Sequence, residues 1–222
     1  MFKKFLSLPI YKKIIITYTI CWLGFLFSFS LGQIFKLLSS IFHPIKEGAE
    51  IVRDVGVAKY EVAYHVAQKT VDNPYLSYIL SYFLSNITAC LMIVVVFSLF
   101  GYLSRDDEEK KFIKYLFILY IFAVINPITG IVGYNLPIYA LIYVLPHGFF
   151  EFLGFSIAIV LGVELAKNLY YKKKIEKKVI YLIILIFVLI FIAASLEPID
   201  WAIYNSKIGV LEGYKIIVLR LL

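Results

Sequence analysis

The residues best suited to chemistry lie in the run Pro146-His147-Gly148-Phe149-Phe150-Glu151, where an imidazole and a carboxylate stand four positions apart. On a helix that spacing puts both side chains on one face. Three uses fit such a pair. It can fix helix register as a buried ion pair or hydrogen bond. It can give two ligands to a metal ion such as zinc if other helices supply more, or it can take part in catalysis. The metalloprotease pattern H-E-x-x-H is absent, because Gly148 follows His147. There is no G-x-S-x-G elbow and no phosphate-binding glycine loop, so no catalytic residue is assigned and the chain is not expected to be an enzyme.

Two more polar groups belong with this pair. Glu197 ends an apolar run in Ser195-Leu196-Glu197-Pro198, and Asn86 lies in another beside Tyr82, Ala89 and Cys90. Asn86, His147, Glu151 and Glu197 are expected to meet as one buried polar cluster. If a metal is the cofactor, His147, Glu151 and Glu197 are its candidate ligands. A second pair at helical spacing, Glu61 and His65 with His43 nearby, has the pattern of an ordinary solvated face.

These residues need elements to hold them, and the composition says what kind. The chain has 222 residues, 62% of them hydrophobic, with a mean hydropathy of +0.87. Soluble domains run at roughly 45–50% apolar, so the bilayer must solvate most of this chain. Ionisable groups are costly there and mark structure or function by default. The formal charge of +7 does not point to nucleic acid, because no basic domain stands apart from the apolar runs. Cys21 and Cys90 fall within apolar runs and read as small packing residues.

A spanning helix takes about 20 apolar residues. Five runs qualify, near 14–38, 76–103, 112–133, 137–167 and 178–196. The expected fold is therefore an all-α membrane protein forming one integral membrane domain over 1–222. The third run is broken at Asn126-Pro127, ahead of Gly130 and Gly133. In the fourth, Pro146 suits the first turn of a helix, so the main helix is expected to begin there. Gly154, Ala158, Gly162 and Ala166 then continue the His147–Glu151 face, a small-residue row that lets helices approach closely, within the chain or in a homo-oligomer. The charged pair accordingly points into protein and not into lipid.

The basic residues flank the runs, at Lys3-Lys4, Lys12-Lys13, Lys110-Lys111 and Lys172-Lys173-Lys174 with Lys177-Lys178. By the positive-inside rule they put the N-terminus in the cytoplasm and the C-terminus outside a cell membrane. Glu164, near Lys167, reads as an interfacial charge. The polar cluster then falls in the outer half of the membrane.

Two segments lie outside the runs. In 39–74, Ile51, Val55, Ala58, Val62 and Val66 recur at helical spacing among charged residues, which predicts an outer amphipathic helix resting on lipid, packing on the other helices or docking a protein partner. In the tail 198–222, Val210, Tyr214, Val218 and Leu221 form a weaker stripe, consistent with a second surface helix.

The run Leu145–Glu151 with its Gly/Ala row resembles the signature of the stage II sporulation protein M family of membrane proteins. Ser85-Asn86, the break Asn126–Gly133 and the helix ending Leu196-Glu197 match further features of that family in the same order. The Asn-Pro at the break and the Ser-Asn at 85–86 depart from the family's usual pairs. The resemblance implies a non-enzymatic membrane component of a larger complex. A scaffold or complex subunit is thus the first expectation. A small-solute transporter or channel lined by the polar cluster is the alternative, and a membrane-embedded metal-dependent hydrolase the third.

Overall fold

A computed structural model gives the fold, and it describes residues 2–39, 41, 65–125, 135–174 and 176–221. Helix α1 (Phe2–Ser7) leads into α2 (Ile10–Ser39). A helical turn at 65–70 precedes α3 (Pro74–Leu103) and α4 (Glu109–Ile125). A 3-10 turn (Ile138–Ala140) opens α5 (Leu141–Tyr170), followed by α6 (Lys178–Asn205) and α7 (Val210–Leu221).

Four of these helical stretches are long and apolar enough to cross a membrane: Ile10–Ser39, Pro74–Leu103, Ile138–Tyr170 and Lys178–Asn205. The protein is therefore an all-α, multi-pass membrane protein. The expected third span is represented by α4, which is described from Glu109 to Ile125, the last described residue before position 135. Its expected break at Asn126-Pro127 lies outside the described residues.

Helix α5 is the hub, packing against α2, α3, α4 and α6. Its small-residue row makes this possible. A Cβ on Gly162 would fall 2.9 Å from the Phe97 side chain of α3, and one on Gly154 would fall 2.8 Å from Ile190 of α6. Ala158 and Ala166 are fully buried on the same helix. At the tightest crossing, a Cβ on Gly101 of α3 would sit 2.3 Å from the Ala166 carbonyl oxygen. The row is consumed inside the chain.

The ends of the helices carry the main corrections. Pro146 does not begin the main helix of the fourth span, because α5 already runs from Leu141 with Pro146 inside it. A proline this close to a helix start forfeits one bond, to the Ile142 carbonyl, which the surrounding turns tolerate. Helix α6 likewise does not stop at Glu197 but continues through Pro198 to Asn205. The expected tail is thus helix up to 205. A tight turn follows, with Lys207 at φ 56°, and α7 folds back along α6.

The stripe expected in the tail is rotated. Val218 is exposed, whereas Gly213 is buried against Ile203 and Tyr214 is half-buried. In the outer segment Val66 is exposed and Ala67 buried, one position from the expected face. The rest of that segment, residues 42–64 with Glu61 and His43, lies outside the described residues.

The basic segments do share one end of the bundle. Lys3 lies 3.3 Å from Glu109, Arg105 Nε donates to the Leu169 carbonyl at 2.9 Å, and the Tyr170 hydroxyl donates to the Asp107 carbonyl at 2.8 Å. Phe112 and Tyr170 stack at 3.9 Å beneath them. Lys13, placed by sequence in the flanking basic group, is instead buried and pairs with Glu164. Lys13 also donates to the Leu6 carbonyl at 2.8 Å, and Lys167 reaches the same carbonyl at 2.9 Å and Glu164 at 3.4 Å. Glu164 is therefore a shared partner for two lysines, Lys167 beside it in sequence and Lys13 from α2.

Candidate metal centre

The site forms where α5 and α6 run antiparallel. Tyr143 faces Tyr204, with ring centroids 5.3 Å apart. One turn further along α5, His147 faces Asp200, and after another turn Glu151 lies opposite Glu197. Each helix contributes this face by ordinary periodicity: 143, 147 and 151 on α5, and 197, 200 or 201, and 204 on α6.

One ligand atom each from His147, Glu151 and Glu197 lies within 4.8 Å of the other two. His147 is buried, and the two glutamates are half-buried. The donor set, one imidazole and two carboxylates from two helices, suits a divalent transition ion such as zinc rather than calcium, which takes six to eight oxygens.

Behind these ligands stands Asp200, fully buried. Its Oδ2 lies 2.7 Å from His147 Nδ1 and accepts from the His147 backbone N–H at 3.3 Å. That backbone donor follows Pro146, so a side chain from α6 reaches the backbone of α5 at this turn. Engaging Nδ1 leaves Nε2 as the ring nitrogen for a ligand, the arrangement in which a carboxylate orients a metal-binding histidine. The other Asp200 oxygen, Oδ1, accepts from the Tyr214 hydroxyl of α7 at 2.7 Å. Burial, then the bond to Asp200, pushes the Tyr214 phenol above its ordinary range. Trp201 Nε1 reaches Glu197 Oε1 at 3.4 Å, and the Trp201 ring lies 6.3 Å from that of His147.

Three carboxylates gather around one imidazole in a region where charge is costly. That cost can be met by a divalent ion at the three ligands or by protons held on the carboxyls.

Sequence reasoning named three members of the cluster and missed two. Asp200 and Tyr214 were lost because the fifth run was ended at Pro198. The signal was available, since Glu197 and Asp200 are three residues apart and the apolar period resumes at Ile199, Ala202 and Ile203. Asn86, the fourth expected member, is half-buried on α3, and among the described residues no hydrogen bond joins it to the site.

Fold and site together define a multi-pass α-helical membrane protein with a buried His/Glu cluster between two of its spans. The chain is 48% identical, over 224 aligned residues, to Uncharacterized protein MJ0096 of Methanocaldococcus jannaschii; the match covers 92% of this chain and 86% of that protein. The chain belongs to that protein's family. No family model and no solved structure matches it.

Proposed function

We propose that this protein is a membrane transporter for a divalent transition-metal ion, with His147, Glu151 and Glu197 as its binding station. The observation that carries the reading is the convergence of three ligand atoms within 4.8 Å, drawn from two apolar helices. Ionisable groups inside apolar spans mark a site by default, and we assign this one to a cation that passes through. With the basic end of the bundle in the cytoplasm by the positive-inside rule and α4 taken as the remaining crossing, the station opens toward the outer leaflet and α7 lies outside. The run resembling the stage II sporulation protein M family supplies two of the three ligands, and we read it here as a metal-binding element. The expectation of a scaffold loses one of its two supports, because the small-residue row packs within the chain; the other, docking through the outer segment, concerns residues that lie mostly outside the described ones.

Metal-dependent hydrolysis is the second reading. Three protein ligands leave a fourth position for water, as in catalytic zinc sites. Such a site also needs a group to move the proton. Glu151 and Glu197 are taken up as ligands, and Asp200 has both oxygens engaged by His147 and Tyr214. Transport therefore ranks first.

Proteoliposomes holding a zinc-responsive dye test the choice. The expected result is saturable zinc entry that falls at least about tenfold in Glu151→Gln, as loss of one of three ligands predicts. A protein that binds zinc, moves none and cleaves an ester or amide would overturn transport in favour of hydrolysis.

A further inference from the structure

The site does not end at the spanning helices. Its outermost hydrogen bond comes from α7, a helix outside the four spans, and crosses to the ligand histidine through a single buried carboxylate. We infer that Tyr214 is a positioning residue for the metal station, and that docking of α7 and occupancy of the station are coupled through Asp200; this rests on the metal reading above.

Three observations carry it. First, the chain of contacts is short and closed: Tyr214 hydroxyl to Asp200 Oδ1 at 2.7 Å, then Asp200 Oδ2 to His147 Nδ1 at 2.7 Å. Each of the two Asp200 oxygens has one of these as its side-chain partner. Removing the outer bond frees a fully buried carboxylate to rotate, and with it the ring that presents Nε2. Second, α7 is built to seat at one place. Gly213, the neighbour of Tyr214, lets α7 close on α6, since a Cβ there would fall 2.6 Å from Ile203. The Tyr143 hydroxyl, one turn from His147 on α5, donates to the Ile208 carbonyl in the α6–α7 turn at 2.9 Å. The turn is thus pinned to the same helix that carries two of the ligands. Third, the remaining hold on α7 is light. Leu211, Val218 and Leu219 are exposed, so a 12-residue helix depends heavily on its Gly213–Tyr214 contact. A helix held by few contacts is one whose docking a modest free energy can shift.

Linkage then makes the effect reciprocal. If a seated α7 tightens metal binding by some factor, metal binding must favour the seated α7 by the same factor. Partners of metal-ligating histidines typically change affinity by about 10- to 100-fold. The surface helix would thereby report, outside the spans, whether the station is filled.

The test uses the full-length protein in detergent or nanodiscs, with zinc as the probe. Zinc affinity is measured for the wild type and Tyr214→Phe, and hydrogen exchange of residues 210–219 is followed with and without zinc. The expected result is a loss of roughly tenfold in affinity for Tyr214→Phe. In the wild type, saturating zinc should slow exchange across 210–219, and the variant should lose that response. A purely structural tyrosine would lower thermal stability without making α7 exchange depend on zinc. Equal affinities together with zinc-independent exchange would overturn the coupling and leave the metal station standing. Absence of zinc binding by the wild type would overturn both.

Discussion

Asp200 Oδ2 lies 2.7 Å from His147 Nδ1, across the interface between the fifth and sixth helices and under full burial. The contact engages Nδ1, so Nε2 is the ring nitrogen left for a ligand.

Asp200→Asn should keep the shape of this contact and lose its charge. With no carboxylate to hold the Nδ1 proton, the imidazole is free to take the other tautomer. Zinc affinity, read by isothermal titration, should fall by about 10- to 100-fold. His147→Ala removes a ligand outright and should abolish the binding that Asp200→Asn only weakens.

The opposite end of the bundle predicts a ranking. Glu164 serves both Lys13 and Lys167. Glu164→Gln leaves two lysines, one of them buried, with the Leu6 carbonyl but no counter-charge, whereas Lys13→Met leaves Glu164 its bond to Lys167. The first should cost about 3 kcal/mol or more, in the range found for broken buried pairs, and the second less. Denaturation in mild detergent reads both, and zinc affinity should stay unchanged in each.

Close packing gives a sharper contrast. A Cβ on Gly101 would meet the Ala166 backbone at 2.3 Å, while one on Gly209 would meet nothing within 4 Å. Gly101→Ala should therefore force α3 and α5 apart and cost about 1–3 kcal/mol, as overpacking does. Gly209→Ala should be close to neutral in the same thermal unfolding assay.

Docking of α7 has a defined pH dependence. Burial and the Asp200 bond raise the folded Tyr214 value above its ordinary 10.0. Folding then favours the protonated phenol, so its contribution is complete below the unfolded value and is lost as pH climbs through the folded one. Near-UV absorbance and proteolysis of the C-terminus should stay flat up to about pH 9 and change only above about pH 10.

Much of this architecture could be read from the residues alone, and the failures have physical causes. Long uncharged runs announce spanning helices, because hydrocarbon admits little else. His147 and Glu151 stand out for the same reason. The proline signals misled. A proline is a stop sign in water, but in a packed bundle one lost backbone bond does not end a helix, and α5 and α6 both run through theirs. Reading Pro146 and Pro198 as helix ends moved one boundary by five residues and cut Asp200 and Tyr214 out of the site. Lys13 was lost differently. Adjacent basic residues look alike in sequence, and only the spacing of Lys13, Thr17, Cys21, Gly24 and Ser28 marks which lysine turns inward.

The most direct test of the central claim is the metal content of the purified protein after equilibration with zinc. One zinc per chain is expected by elemental analysis, with a marked loss in Glu151→Gln and His147→Ala variants that remain folded. A folded wild-type protein that retains no divalent metal would contradict that claim.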